Sequence, residues 1–293
     1  MMGAELGLGT VQWGLPYGVS NSAGQTPTAA VPAILGDARS LGISLLDTAS
    51  QYGNAETVLG QSNLDGFRVV TKTPSFRTTE IRVGDVAELV RAFENSLSRL
   101  GLNRVHGLLL HHVEDLFAPG GKLLLAAMEE LKSVGKVARI GISVYDGRQI
   151  DAALEMFRPD IVQLPLSVLD QRLIHSGHLE QLKAAGVEIH VRSVFLQGLL
   201  LMPLSRVPTY FDPIRPILSR WNEAAQYQGA TTTQAALAFV RNLPWVDVVL
   251  VGVENQAQLA ACHADYYAVA GFDATDLACN DLHFINPMYW KLN

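Results

Sequence analysis

The stretch of residues 105–144 reads VHGLLLHHVEDLFAPGGKLLLAAMEELKSVGKVARIGISV and contains two short apolar runs separated by a longer periodic segment. The runs Val105–His111 and Ile140–Val144 are rich in leucine, isoleucine and valine and have the length of β-strands. Between them, in residues 121–136, apolar side chains recur every three or four positions and a glycine lies near the end, which predicts a helix. This stretch therefore predicts a strand–helix–strand unit of an α/β protein.

The same alternation continues along the whole chain. Helical periodicity also appears in residues 86–101, VAELVRAFENSLSRLG, and in residues 178–186, HLEQLKAAG. The predicted strands are Leu6–Val11, Ile43–Thr48, Phe67–Thr73, Val105–His111, Ile140–Val144, Ile161–Leu166, Glu188–Val194 and Asp247–Val253. Eight strands alternating with helices are compatible with a closed (β/α)8 TIM barrel or with an open doubly wound sheet. No GxGxxG motif follows an early strand, and most strands end in polar residues, so we predict the barrel.

The chain of 293 residues, 48% of them hydrophobic and 17% charged, has the composition of an ordinary globular protein. TIM barrels reach this length as one domain, and no linker rich in Pro, Gly or Ser divides the sequence. We therefore expect one barrel domain over residues 1–293, with residues 264–293 as a C-terminal tail over the barrel. Residues 203–216 contain four prolines and are predicted to form a long loop after the seventh strand.

Charge and cysteine content argue against several classes of function. The net charge of −6 disfavours a nucleic-acid partner, since such proteins usually present a basic surface. Cys262 and Cys279 lie in no CxxC or Cys/His spacing, so we expect no metal site, no disulfide framework and a reducing, cytoplasmic location. No run approaches the roughly 20 apolar residues that span a bilayer, and the N-terminus lacks a signal-peptide pattern, so we expect no membrane partner.

The ends of the predicted strands carry residues suited to a functional site. In a TIM barrel the carboxyl ends of all strands meet at one face, so side chains from these positions share one pocket. The residues in these positions are Asp47, Lys72, His111, Ser143, Gln163, Ser193 and Gly252, with Tyr52 in the loop after the second strand. The sequence therefore predicts a site at this face of the barrel.

Three segments, LLDTASQYG (45–53), VVTKT (69–73) and LLLHH (108–112), resemble the aldo-keto reductase family, whose signature is Asp-x4-Tyr, a strand-end Lys and a strand-end His. The resemblance runs from about Leu6 to Cys262 and includes GKVARIGIS (135–143), DIVQLPLS (160–167) and RSVFLQGLL (192–200). It implies a TIM barrel that uses NADP(H) or NAD(H) to reduce an aldehyde or ketone to an alcohol, or that runs the reverse oxidation.

The resemblance assigns four catalytic residues: Tyr52, Lys72, Asp47 and His111. Tyr52 would protonate the alkoxide formed by hydride transfer, and the ammonium of Lys72 would lower the pKa of the phenol from its usual value of about 10. Asp47 would hold Lys72 in place and keep it charged, and a histidine would hydrogen-bond the carbonyl oxygen. The sequence leaves open whether His111 or His112 faces the pocket. We place His112 and Trp13 on the substrate side.

The resemblance also implies a set of cofactor contacts. Ser143 and Gln163 match positions that bind the nicotinamide carboxamide, and Arg192 replaces an aromatic residue that stacks on the nicotinamide ring. Val144 replaces the usual Asn. A loop along the pyrophosphate would supply Ser193, Phe195, Gln197, Gly198 and Leu199, and the last strand and its loop would supply Gly252, Glu254 and Gln258.

The choice between the two nicotinamide cofactors rests on that last loop. NADP-using members usually place Lys or Arg there against the 2′-phosphate, whereas this chain has Glu254 and Gln258 and no Lys or Arg between Arg241 and Lys291. Glu254 could instead accept a hydrogen bond from the ribose 2′-hydroxyl, as an acidic residue does in other NAD sites. The family favours NADPH and the loop favours NADH, so we expect that the protein can use NADH.

Two other functions are compatible with parts of this pattern. One is a nucleotide-binding regulatory barrel subunit with little or no turnover. The other is a metal-dependent hydrolase built on Asp47, His111 and His112, which lacks the HxH pattern of the first strand. Taken singly, Asp47 could cap a helix, so the catalytic prediction rests on the combination of residues. Specificity is expected to come from residues 113–120, 202–216 and 280–293, where Phe284, Pro287, Tyr289 and Trp290 could cover a ligand or pack on the barrel.

Overall fold

Eight short parallel strands close into a barrel in the computed structural model, which describes residues 3–292. The strands are β1 (Glu5–Gly9), β2 (Leu45–Asp47), β3 (Arg68–Lys72), β4 (Val105–Leu110), β5 (Val137–Ser143), β6 (Ile161–Pro165), β7 (Glu188–Arg192) and β8 (Val248–Gly252). Neighbours in sequence are neighbours in the sheet, and β8 closes on β1 with Glu5 opposite Val248 and Gly9 opposite Gly252. The predicted (β/α)8 TIM barrel is confirmed, and the open sheet is wrong.

Helices connect the strands on the outside of the barrel. They are α1 (Val11–Gly14), α2 (Val31–Ser40), α3 (Ala55–Gly60), α4 (Val83–Leu100), α5 (Glu114–Phe117), α6 (Lys122–Ser133), α7 (Gly147–Leu154), α8 (Arg172–His175), α9 (His178–Ala184), α10 (Arg215–Tyr227), α11 (Thr232–Arg241), α12 (Gln256–Ala268) and α13 (Leu282–Ile285). Helix α4 ends at Gly101, whose φ of 65° is the left-handed conformation that glycine adopts without steric cost. No helix among residues 3–292 is both long and apolar enough to span a bilayer.

The apolar core has two parts. Six side chains cluster inside the barrel, namely Leu45, Val70, Leu109, Ile161, Val248 and Leu250. A larger cluster fills the space between the strands and the surrounding helices. Because apolar side chains fill the interior of the barrel, its bore is packed core rather than a channel, and space for a ligand remains at the end of the strands.

A polar cluster lies near the amino ends of β5 and β7. The side chain of His190 is fully buried, and its Nε2 lies 2.8 Å from Oε1 of Glu188, which also forms an ion pair with Arg139. Burial alone would raise the pKa of Glu188, but the hydrogen bond and charge of His190 and the charge of Arg139 outweigh it and hold the pKa at about 2. The carboxylate is therefore a stabilising group of the folded state.

The C-terminal tail packs against the long loop that follows β7. The rings of Phe211 and Trp290 meet edge to face with centroids 4.9 Å apart, and the hydroxyl of Tyr210 donates a hydrogen bond to the carbonyl of His283 at 2.8 Å. Helix α12 continues to Ala268, so the predicted boundary of the tail at residue 264 falls inside a helix. Residues 1, 2 and 293 of the proposed single domain lie outside the described residues.

Replacing the carboxylate of Glu188 is expected to destabilise the fold in a pH-dependent way. Glu188→Gln should lower the free energy of unfolding by about 2 kcal/mol at neutral pH, because His190 and Arg139 lose a charged acceptor. Since the folded-state pKa lies below the ordinary value of 4.5, this contribution is present above about pH 4.5 and is lost as the pH falls toward 2. Urea denaturation of both proteins at several pH values measures the difference.

The matched control is Glu94→Gln, which removes the carboxylate of a more exposed ion pair with Lys136. This change should alter stability by no more than about 0.5 kcal/mol. A wild-type protein no more stable than Glu188→Gln at neutral pH would contradict the role assigned to Glu188.

Candidate active site

A cavity of about 590 Å³ opens where the strands end. The last residues of five strands line it, namely Gly9, Asp47, Ser143, Arg192 and Gly252, and Gln163 lines it from within β6. His111 directly follows β4, Tyr52 lies in the loop between β2 and α3, and both also line the cavity. The structure thus brings to one place the residues that the strand-end pattern selected.

Asp47 lines the cavity and forms a buried ion pair with Lys72, which is not itself a lining residue. Nζ of Lys72 lies 2.8 Å from each carboxylate oxygen of Asp47 and donates a third hydrogen bond to the carbonyl of Thr48 at 2.9 Å. Gln163 donates a further hydrogen bond from Nε2 to Oδ1 of Asp47 at 2.7 Å. Burial opposes the charge on Lys72, but Asp47 outweighs it, so the pKa of Lys72 is raised and the ammonium is retained.

Tyr52 is held in place by a close approach of two loops. A Cβ added at Gly14 would stand 1.8 Å from the carbonyl oxygen of Tyr52, and one added at Gly53 would stand 2.2 Å from the carbonyl oxygen of Gly14. Gly53 also has a φ of 55°, which favours glycine. The loops after β1 and β2 therefore pack backbone against backbone, and the two glycines make this position of Tyr52 possible.

The phenol of Tyr52 lies beside the ion pair. Nζ of Lys72 is 4.9 Å from the centroid of the Tyr52 ring. Burial raises the pKa of the phenol above its usual value of 10, and the charges of Lys72 and Arg192 oppose this rise without reversing it. Lys72 therefore lowers the pKa of Tyr52 in the direction expected from the sequence, but burial and the charge of Asp47 outweigh this effect, so the pKa is not below its usual value. Tyr52 is a neutral hydroxyl, which is the form that can donate a proton.

The two adjacent histidines point in different directions. His111 lines the cavity, and its ring lies edge to face with Tyr52 at a centroid distance of 5.8 Å. Burial, together with the charges of Lys72 and Arg192, lowers the pKa of His111 to about 3, so its imidazole is neutral. His112 does not line the cavity, because its Nδ1 lies 3.3 Å from the buried carboxylate of Asp115. His112 therefore lies outside the cavity that Tyr52 and His111 line, and its contact with a substrate stays a prediction.

Most of the residues expected to contact the cofactor line the same cavity. They are Ser143, Gln163, Arg192, Ser193, Phe195, Gln197, Gly198, Gly252, Glu254 and Gln258. In the loop after β7, Ser193, Leu196 and Gln197 all have positive φ, and the carbonyl of Gln197 accepts a hydrogen bond from the amide of Val19. Leu199 is an exception, since it is buried in the hydrophobic core and does not reach the cavity.

Trp13 also departs from its predicted position. Its side chain is fully buried, and Nε1 donates a hydrogen bond to the carbonyl of Val253 at 2.8 Å. The neighbouring Gln12 lines the cavity instead, and its buried Oε1 has no hydrogen-bond partner among residues 3–292. A Cβ at Gly252 would come within 2.2 Å of the Gln12 amide, so glycine at this strand end makes room for Gln12.

Several other lining residues were not predicted. Tyr17, Gly18, Ser20 and Asn21 come from the loop after β1, and Tyr145 comes from the loop after β5. The C-terminal tail contributes Pro287 and Met288, while residues 113–120 and 202–216 supply no lining residue. No sequence signal identified the loop after β1, because its residues carry no catalytic motif. The tail residues lay within the aromatic segment whose role the sequence left open.

The outer part of the cavity is acidic. Glu254, Gln258 and Asp265 line it, and the backbone amide of Glu254 donates to Oε1 of Gln258 at 2.8 Å. Asn255 begins helix α12 by accepting a hydrogen bond from the amide of Gln258. Arg192, at the end of β7, is the one lysine or arginine that lines the cavity within residues 3–292. The region that follows β8 therefore offers carboxylates and amides but no cation.

The same side chains suit a nicotinamide dinucleotide. Gln12 carries a buried acceptor without a partner among residues 3–292, Ser143 and Gln163 offer polar groups, and Gln197 and Gly198 of the loop after β7 line the cavity. In the described part of the chain, no group of three or more His, Cys, Asp or Glu side chains is placed to hold a metal ion. The cavity therefore fits an organic cofactor with hydroxyl and amide groups.

The Aldo/keto reductase family matches this chain over residues 5–275. The chain is 30% identical over 226 residues to the NADH-specific methylglyoxal reductase of Escherichia coli, covering 69% of this chain and 67% of that protein. It is 25% identical over 246 residues to an aldo-keto reductase of Bacillus subtilis, covering 75% of this chain and 73% of that protein. Its fold is similar to the holo form of an aldo-keto reductase from Bacillus halodurans, with a TM-score of 0.75, 21% identity and coverage of 97% and 94%.

The chain therefore belongs to the aldo-keto reductase family. Its activity is the NAD(P)H-dependent reduction of a small carbonyl compound to an alcohol. Neither the comparisons nor the cavity favours the regulatory subunit that the sequence left as an alternative.

The neutral state of His111 can be measured directly. Because its pKa is held at about 3, we expect its imidazole signals in ¹H–¹⁵N NMR spectra to stay constant between about pH 8 and pH 5. The spectrum of His111→Gln identifies the signals by their loss. A His111 titration with its midpoint above about pH 5 would show that the burial and positive charge described here do not control this residue.

Proposed function

We propose that this protein reduces a small aldehyde with NADH and that Tyr52 donates the proton. The observation that carries the proposal is that Tyr52, Asp47 and His111 line one cavity at the end of the barrel, with Lys72 paired to Asp47 and with polar groups suited to a nicotinamide dinucleotide nearby. A bound NADH supplies the hydride, and the side chains of this chain supply position, charge and the proton.

Tyr52 is suited to proton donation because it is protonated and lies next to a fixed cation. The Asp47 carboxylate holds Lys72 at 2.8 Å, so the ammonium cannot turn away from the phenol. As negative charge develops on the substrate oxygen, Tyr52 releases its proton toward that oxygen, and the positive charge of Lys72 stabilises the phenolate that remains. Asp47 acts through Lys72 and holds it in place.

His111 contributes a neutral hydrogen-bond donor. With a pKa of about 3, its ring carries one N–H at physiological pH and does not add a second charge next to Lys72. Such a donor can polarise a carbonyl oxygen placed beside Tyr52 without competing as an acid. The rings of Tyr52 and His111 are in edge-to-face contact and both residues line the cavity, which supports their acting on one carbonyl oxygen.

The cofactor-binding residues fall into groups along the cavity. Ser143 and Gln163 would hold the carboxamide of the nicotinamide, and Gln12 would provide an acceptor for a hydroxyl or amide group. The loop of Ser193, Phe195, Gln197 and Gly198 would lie along the pyrophosphate, where backbone N–H groups can bind oxygen atoms. Gly252, Glu254 and Gln258 would lie at the adenosine end.

NADH is the cofactor that the outer cavity favours. A 2′-phosphate is a dianion, and beside Glu254 and Asp265 it would meet like charges and no cation. The carboxylate of Glu254 can instead accept a hydrogen bond from a ribose 2′-hydroxyl. The NADH specificity in the name of the Escherichia coli relative supports this choice.

The substrate is expected to be small. The cavity of about 590 Å³ has to hold the nicotinamide end of the cofactor as well as the carbonyl compound, and Pro287 and Met288 of the tail limit it on one side. The relative that reduces methylglyoxal supports a 2-oxoaldehyde as the class to test first.

Removing the hydroxyl of Tyr52 should stop turnover and leave cofactor binding intact. We expect Tyr52→Phe to lower kcat for methylglyoxal with NADH by about 10²- to 10⁴-fold, because the variant loses only its proton donor. The Kd of NADH, measured by quenching of tryptophan fluorescence, should stay within about twofold of wild type.

The control for this variant is Tyr227→Phe, which removes the hydroxyl of an exposed tyrosine at the end of α10 and should leave kcat unchanged. If Tyr52→Phe keeps most of its turnover, Tyr52 is not the proton donor.

Reversing the charge at residue 254 should change the cofactor preference. Wild type is expected to show a higher kcat/KM with NADH than with NADPH. Glu254→Arg should shift the ratio of the two values toward NADPH by about tenfold or more, because a guanidinium can pair with the 2′-phosphate.

Glu155→Arg makes the same change in charge at an exposed position outside the cavity and should leave the ratio as it is. A higher kcat/KM of wild type with NADPH than with NADH would exclude NADH as the preferred cofactor.

A further inference from the structure

The guanidinium of Arg192 lies in the inner part of the cavity in a fixed orientation. Nη2 donates a hydrogen bond to the carbonyl of Val144 at 3.1 Å, and Nη1 donates to Oγ of Ser193 at 3.3 Å. Its central carbon lies 4.3 Å from the centroid of the Tyr145 ring, so one face of the guanidinium is covered by an aromatic ring. Arg192 still lines the cavity, together with Tyr145.

The charge of Arg192 is not neutralised by a neighbour. None of the salt bridges among residues 3–292 involves Arg192, whereas Lys72 is paired with Asp47. Its hydrogen-bond partners, Val144 and Ser193, are uncharged. The inner cavity therefore carries a net positive charge at the half-buried end of β7.

The field of this charge reaches the reacting residues. It lowers the pKa of His111 and opposes the rise in the pKa of Tyr52. Any group bound between these side chains lies within the same field. A charge in a partly buried site acts more strongly than it does in water.

The two redox states of nicotinamide differ in charge at the ring itself. The oxidised ring is a cation, and the reduced ring is neutral. A nearby unpaired cation therefore disfavours the oxidised form and leaves the reduced form almost unaffected. NAD⁺ and NADH have the same phosphates, riboses and adenine. The charge of the nicotinamide ring therefore affects the ratio of their two dissociation constants.

We propose that Arg192, fixed by Tyr145, makes the site bind NADH more tightly than NAD⁺, so that NAD⁺ competes poorly for the site when both nucleotides are present. Arg192 is in this sense a specificity-determining residue for the redox state of the cofactor, and Tyr145 is a positioning residue. This inference rests on the proposed use of NADH at the same site. It leaves the overall equilibrium unchanged and lowers inhibition by the NAD⁺ that each turnover produces.

The test is the pair of dissociation constants for NADH and NAD⁺, measured by isothermal titration calorimetry without substrate. Wild type is expected to bind NADH about tenfold or more tightly than NAD⁺, which corresponds to about 30 mV in the two-electron potential of the bound cofactor. Arg192→Gln, which removes the charge, should reduce this ratio by about fivefold or more, mainly through tighter binding of NAD⁺.

Three comparisons separate charge from structure. Arg192→Lys keeps the charge and should retain a ratio well above that of Arg192→Gln. Tyr145→Leu loosens the guanidinium and should give an intermediate ratio. Arg148→Gln removes the charge of an arginine whose side chain is 92% exposed, and it should leave the ratio unchanged. Arg192→Met replaces Arg192→Gln if the glutamine variant does not fold.

The possible outcomes are distinguishable. A wild-type protein that binds NAD⁺ as tightly as NADH, or a ratio that does not depend on the charge at residue 192, would overturn the inference and leave the proposed function in place. A folded wild-type protein that binds neither nucleotide would overturn both. A ratio of the NAD⁺ and NADH dissociation constants that falls in Arg192→Gln and is kept in Arg192→Lys supports the inference. A structural role alone would weaken the binding of both nucleotides together and leave the ratio unchanged.

Discussion

The ion pair of Asp47 and Lys72 is the interaction on which the site depends. An ammonium buried alone at the end of the barrel strands would lose several kcal/mol of hydration, and the carboxylate at 2.8 Å with the carbonyl of Thr48 compensates for this loss. Each partner is the last residue of its strand, and the two strands are neighbours, so the barrel itself places them together. Tyr52 then needs only a short loop to reach the retained positive charge.

The cavity is divided by charge. The unpaired Arg192 lines its inner part, and Lys72 lies next to it in an ion pair with the lining residue Asp47. Both positive charges favour the loss of a proton from Tyr52 and a neutral His111. The outer part of the cavity contains Glu254 and Asp265. Negative charge that develops on a carbonyl oxygen is thus stabilised at one end, while an additional phosphate is disfavoured at the other. The same distribution of charge favours proton transfer from Tyr52 to the substrate oxygen and favours NADH over NADPH.

The sequence predicted the barrel, and it predicted that Asp47, Tyr52 and His111 would meet at one cavity, because both depend on local patterns. Asp47 and Tyr52 have a fixed spacing, and strand ends converge whenever a barrel closes. Contacts between distant loops were less predictable. Gln12 rather than Trp13 faces the cavity because Gly252, at the other end of the chain, leaves it room. His112 contacts Asp115 instead of the cavity. Leu199 packs in the core because it follows the sharp turn that includes Gln197. The periodicity of the sequence does not reveal either contact.

The central claim is that this cavity transfers a hydride from NADH to a carbonyl carbon while a protein hydroxyl protonates the oxygen. Turnover of methylglyoxal with NADH carrying deuterium at both C4 positions, followed by NMR of the product, tests it most directly. The structure predicts one deuterium on the new carbinol carbon for each NADH consumed. A product whose carbinol carbon carries hydrogen from water, with deuterium left on the cofactor, would contradict this account.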